Sequence, residues 1–125
     1  MITKDKESII QARKAAAELL IGVLNQQIDF KEAVKAFPQN DEDETLKCAF
    51  HILLYYDADD EYRAANPDYA SEQNEYIEYI SDLLSRGDDI PANIILEYKK
   101  YYETAPTIHK KGIMNVIKSL FRFIS

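Results

Sequence analysis

Apolar residues recur in this chain at helical spacing in segment after segment, and nowhere do they alternate with period two. A strand with one buried face needs that alternation, whereas an amphipathic helix needs apolar positions at i, i+3, i+4 and i+7. Ile10, Ala17, Leu20, Leu24 and Ile28 share one helical face. So do Leu46, Ala49, Phe50, Leu53 and Leu54, then Tyr69, Tyr76, Ile77, Ile80, Leu83 and Leu84. With only three glycines and four prolines in 125 residues, the chain also lacks the turn signals that an all-β fold spends every ~8–12 residues. The expected fold is all-α: a single domain over residues 1–125, built as a bundle of about five to six helices. Short connections make those helices mostly antiparallel, with no sheet.

The punctuation between segments divides the chain. A first helix is expected from about Lys4 to Gln26, with Thr3 as N-cap and Gly22 marking a close helix–helix contact. Asp29 and Glu32 have capping-box spacing ahead of Phe30, Ala33, Val34 and Phe37, and Pro38 stops that short helix. The run Asn40, Asp41, Glu42, Asp43, Glu44 opens a third helix, because acids favour the positive end of a helix dipole. Asn66 and Pro67 read as cap and first residue of a fourth helix, which Gly87 ends. Pro91 opens a fifth, carrying Ile94, Ile95, Tyr98, Tyr101 and Tyr102 and stopping before Pro106. Thr107 caps a sixth, with Ile113, Ile117, Leu120, Phe121 and Ile124 on one face and Lys110, Lys111, Lys118 and Arg122 on the other. A docked terminal helix and a membrane-surface or partner-binding helix both show that pattern. The expected core contains Leu20, Leu24, Phe50, Leu53, Ile77, Ile80, Leu84, Ile95, Ile117 and Leu120.

No apolar run approaches the ~18 residues that span a bilayer. Arg13 and Lys14 precede the apolar stretch from Ala15 to Leu24, but Glu18 interrupts it and no small-residue cleavage pattern follows. One cysteine builds neither an internal disulfide nor a cysteine-rich zinc site. A cytoplasmic protein is expected. The formal net charge of −7 is a poor match for nucleic acid.

That charge is unevenly placed. Residues 1–40 carry a net +1, residues 41–90 a net −12 and residues 91–125 a net +4. Five of nine tyrosines lie between Tyr55 and Tyr76, amid the acids. Tyrosine suits interfaces because its ring is apolar and its hydroxyl hydrogen-bonds. Tyr76 is expected to be buried, and Tyr62 or Tyr79 to be more exposed. Asp57, Asp59, Asp60, Glu61, Tyr62 and Tyr79 are the candidate partner-binding residues, the acids in a polar connection between the third and fourth helices.

Sequences that carry chemistry are weak here. Asp57, Asp59 and Glu61 have the spacing of a calcium loop's first ligands, but Tyr62 stands where the sharp turn needs glycine and Asp68 where a bidentate glutamate is needed. His51 and His109 fit no nucleophile, HExxH or phosphate-loop pattern. Cys48 reads as a buried thiol. Glu75, Glu78 and Asp82 share a helix face without the Glu-x-x-His pair of a di-metal site. No metal and no cofactor are expected.

The leading expectation is a non-enzymatic protein-interaction module whose acidic, tyrosine-rich face binds a basic protein surface. In size, charge and tyrosine content the chain resembles toxin-neutralising immunity proteins and other small inhibitors. Two alternatives stand beside it. One is a small-ligand or metal-binding helical domain, with a pocket near His51 between the third, fourth and fifth helices. The other is an acidic mimic of DNA.

Overall fold

The computed structural model describes residues 4–102. The expected sixth helix, with His109, Ile117, Leu120 and its four bases, lies outside them, as does Thr3. Among the described residues there are six α-helices and no strand: α1 Lys4–Leu24, α2 Phe30–Ala36, α3 Glu44–Ala58, α4 Asp60–Ala65, α5 Pro67–Ser85 and α6 Ala92–Lys99. None of these is long and apolar enough to cross a membrane. The fold is all-α, as the periodicity implies.

The principal packing is α1 on α5. Ile10 and Arg13, in the first half of α1, meet Gly87 just beyond the end of α5, so the two helices run antiparallel. Small residues at Ala16 and Ala17 are buried, which lets α1 lie close to its neighbours. Leu20, Leu53, Ile77, Ile80 and Leu84 are all buried as expected. Leu24, Phe50 and Ile95 are only partly buried and line the edge of the core. Phe50 spends its ring on Phe37, with centroids 5.4 Å apart. Tyr76 is buried and Tyr79 is 37% exposed, as the stripe on α5 implies.

Two helices end in the same way. At the end of α5, Asp88 N–H donates to Leu83 O and Gly87 N–H to Leu84 O, with Gly87 at φ 76°. This is a Schellman motif, and glycine adopts its left-handed residue without a Cβ penalty. At the end of α1, Gln27 N–H donates to Gly22 O and Gln26 N–H to Val23 O. Here Gln26, at φ 60°, takes the left-handed place. Gly22 is small for a reason different from the expected one. A Cβ there would sit 2.7 Å from Ile28 Cγ2, so the close contact is with the turn that follows α1, not with another helix. Gly87→Ala combines positive φ with a new Cβ 3.2 Å from Ile10. It should cost about 1–2 kcal/mol from the left-handed conformation, read as a lower urea midpoint at unchanged slope.

The expected caps are partly replaced. Asp43 caps α3, its carboxylate accepting from Thr45 N at 3.1 Å. Asp29 precedes α2 without a side-chain cap bond, so the capping box with Glu32 is not formed. Pro67 is the first residue of α5, but Asn66 turns its amide the other way, donating to Tyr62 O at 3.0 Å and so closing α4 instead. Residues 60–65 are helical, not the polar connection the sequence suggests. The helix carrying Tyr98 stops at Lys99, and Tyr101 and Tyr102 lie in the turn beyond it.

Candidate functional site

The chain breaks between α3 and α4 at Asp59, and that break shapes the acidic corner. Asp59 flanks both helices: its N–H donates to Tyr55 O and Tyr56 O, and its carbonyl accepts from Arg63 N. Its side chain turns inward and is 0% exposed. There it accepts a 2.7 Å hydrogen bond from Tyr69 Oη and a 3.4 Å bond from Gln73 Nε2. Burial pushes the Tyr69 hydroxyl well above its usual range, and the bond to Asp59 adds to this by holding the proton. Asp59 therefore points into the corner and not onto the exposed acidic face where the sequence placed it. A charged group withdrawn from water needs such partners, and α5 supplies them.

Arg63 completes the corner. Its Nη1 donates to Gln73 Oε1 at 2.7 Å and to Tyr56 O. Its guanidinium carbon lies 3.6 Å from the centroid of the Tyr56 ring, a cation–π geometry. It also reaches Asp60 at 3.5 Å. Asp59, Tyr69, Gln73 and Arg63 thus pin α4 against α5. With α4 held there, Asp57, Asp60 and Glu61 are exposed. Tyr62 is half-buried, its ring edge-on to Tyr69 at 4.7 Å. Tyr79 does not join them: it lies ten residues beyond Tyr69 on α5, about 15 Å along the axis.

Beside the corner runs a groove of about 460 Å³ between the α1–α2 turn and the α3–α4 junction. Val23, Leu24, Ile28, Phe30 and Tyr56 give it apolar walls, and Asp29, Asp57, Asp60 and Arg63 give it charged ones. Sequence reasoning missed this groove because its two walls are about thirty residues apart in the chain. His51, beside which the sequence suggested a pocket, does not line this groove. That ring is committed to structure: Nδ1 is 3.0 Å from Lys47 O and the imidazole stacks on Tyr102 at 4.1 Å.

The remaining candidates are dispersed. Cys48 is fully buried, and burial pushes its thiol up to about 12, far from the thiolate a nucleophile needs at neutral pH. Glu75, Glu78 and Asp82 are exposed on α5, and Asp82 pairs with Arg86 at 3.2 Å. Among the described residues no three His, Cys, Asp or Glu side chains converge as a metal site. Asp57, Asp59 and Glu61 stand on helix, junction and helix, with Asp59 turned inward. Calorimetric titration with calcium should show no saturable site below roughly millimolar, the range of the weakest specific modules. A one-to-one micromolar isotherm would contradict this geometry.

No family model, curated protein or solved structure matches this chain.

Proposed function

We propose that this chain is a non-enzymatic protein-interaction module of the cytoplasm, and that its α3–α4 corner binds a basic surface on another protein, as an inhibitor would. The observation that supports this reading is the juxtaposition at the corner. Asp57, Asp60 and Glu61 are exposed beside a groove with apolar walls, and a buried network fixes the backbone that carries them. An acidic rim around a recess of mixed polar and apolar lining suits a lysine- or arginine-bearing segment, whose charged head and aliphatic stem need both. Charge then speeds encounter and sets orientation, while apolar contact holds the complex.

The experiment compares two baits. The wild-type chain should capture a basic protein that a chain with Asp57, Asp60 and Glu61 all changed to lysine fails to capture. Asp59 is left alone, because a lysine there would bury an unpaired charge and unfold the corner. Against the captured partner, Tyr62→Ala should raise the off-rate by about tenfold if Tyr62 is a hot spot worth ~1.4 kcal/mol. Because Tyr62 packs on Tyr69, a urea curve on the same variant separates lost contact from a loosened α4. Equal capture by both baits would remove the acidic corner from the reading.

The size of the groove favours a second reading. About 460 Å³ falls in the range of small-molecule sites, ~300–1,000 Å³. A small organic cation that protects Tyr56 and Phe30 resonances, with no macromolecular partner, would support that reading instead.

A further inference from the structure

We propose that the groove between the α1–α2 turn and the α3–α4 junction is a site for a linear aliphatic polyamine, a short carbon chain carrying two or more ammonium groups. This deepens the small-ligand reading of the groove and rests on it. Three observations carry the class of ligand. The first is charge and its placement. Asp29 lies on the wall made by the α1–α2 turn, Asp57 and Asp60 lie on the other wall, and Arg63 is the one basic residue of the lining. Three acids against one base leave a formal excess of two negative charges. Arg63 is already held: Gln73 and the Tyr56 carbonyl fix its guanidinium against the Tyr56 ring, and it reaches Asp60 only at 3.5 Å. A ligand with a single charge answers one wall and not the other. A compact metal dication has no cage here, because no three carboxylates converge among the described residues. Positive charge spread along a chain can meet both walls.

The second is Asp29. It holds the N-cap place of α2, where an aspartate ordinarily accepts from the helix's own first N–H groups. Its carboxylate makes no such bond. It makes no other hydrogen bond or ion pair among the described residues, and the residue is exposed. One wall of the groove thus carries an ionised acceptor that the fold does not use.

The third is the surface between the acids. Val23, Leu24, Ile28 and Phe30 are only partly buried and line the groove, and Gln26 and Gln27 add amide groups to the same wall. A lysine side chain settles on such a surface with its methylenes on apolar atoms and its ammonium among polar ones. A polyamine repeats that pattern along one chain, with ammonium groups at the carboxylates and methylenes between them. A wholly apolar ligand would instead cover Asp29, Asp60 and the two glutamines without giving them partners, which costs binding energy.

The full chain is titrated calorimetrically with spermidine and with putrescine at about 0.15 M salt, where diffuse attraction is screened beyond about 8 Å. Butylamine and magnesium are the controls. Spermidine should give a saturable one-to-one isotherm, and putrescine a weaker one. Butylamine should bind about tenfold more weakly than putrescine, and Asp29→Asn or Asp60→Asn should each weaken spermidine about tenfold, the effect of losing one charge-assisted hydrogen bond. Asp29→Asn breaks no bond of the fold, so its urea midpoint should match the wild type. On labelled protein, spermidine should shift the amides of Gln27, Ile28, Tyr56 and Arg63. An isotherm that never saturates would overturn the proposal, as would binding that both substitutions leave unchanged. Magnesium displacing spermidine at equal charge would also overturn it, reducing the effect to an ion atmosphere. A tri-lysine peptide that binds more tightly than spermidine would assign the groove to a protein's basic segment instead. The capture experiment reverses Asp57, Asp60 and Glu61 and leaves Asp29 in place, so either test can fail while the other succeeds.

Discussion

Arg13→Ala should lower the stability of the folded chain by about 3–5 kcal/mol, the cost of stranding a buried carboxylate. Arg13 grips Asp43 with both arms of its guanidinium, at 3.0 and 2.9 Å, and the side chains are 11% and 2% exposed. It also donates to Gly87 O at 2.9 Å and meets Asp89 at 2.9 Å. One side chain on α1 thereby ties the start of α3 to the turn that closes α5. Lysine at this position keeps the charge but not the planar fork, so Arg13→Lys should recover little. Replacing Arg13 by Met and Asp43 by Leu together should be milder than Arg13→Ala alone, because no charge is left unpaired. It will still lose about 1 kcal/mol, since Asp43 also caps α3. Urea unfolding of the four proteins checks the ordering. A loss under 1 kcal/mol for Arg13→Ala would show that water enters this site.

The second large effect is at Leu53. The side chain is 0% exposed on α3, and truncation to alanine should cost about 2–5 kcal/mol through lost transfer energy and the cavity left behind. Leu96, 60% exposed on α6, is the control. Its truncation should stay within about 0.5 kcal/mol. Similar losses at both positions would mean that the core is not organised as described.

The helical stripes were legible because burial of one face is written locally, at spacings of three and four. Leu20, Leu53, Ile80 and Leu84 show it. So were the stops at Pro38 and Gly87, since those residues limit backbone angles whatever surrounds them. The polar interior was not legible. Asp43 and Asp59 look like their exposed neighbours in sequence, and only partners 30 residues away, or on another helix, distinguish them. Two signals did exist. Arg13 sits between Ile10 and Ala17 on the apolar face of α1, and Gln73 sits four residues from Tyr69 on that of α5. A polar side chain within an apolar stripe implies a buried partner for it. Gln26 at φ 60° carried no such signal, because a Schellman turn with glutamine at its left-handed residue departs from the glycine preference. Of the candidate binding residues, Asp57, Asp60, Glu61 and Tyr62 fall together, while Asp59 turns inward and Tyr79 lies apart. That division follows the junction between α3 and α4, where Asp59 turns inward.

The central claim is that fixed, exposed acids at the corner steer a basic partner. Stopped-flow association of the captured partner, with wild-type chain and with the Asp57, Asp60, Glu61 reversal, tests it most directly across ionic strength. As the screening length shrinks from about 30 Å at 0.01 M to about 8 Å at 0.15 M, the wild-type on-rate should fall steeply. The off-rate should change far less. The reversed chain should start slow and show little fall. An on-rate that ignores both salt and the reversal would contradict the account and leave the acidic corner as solvated surface.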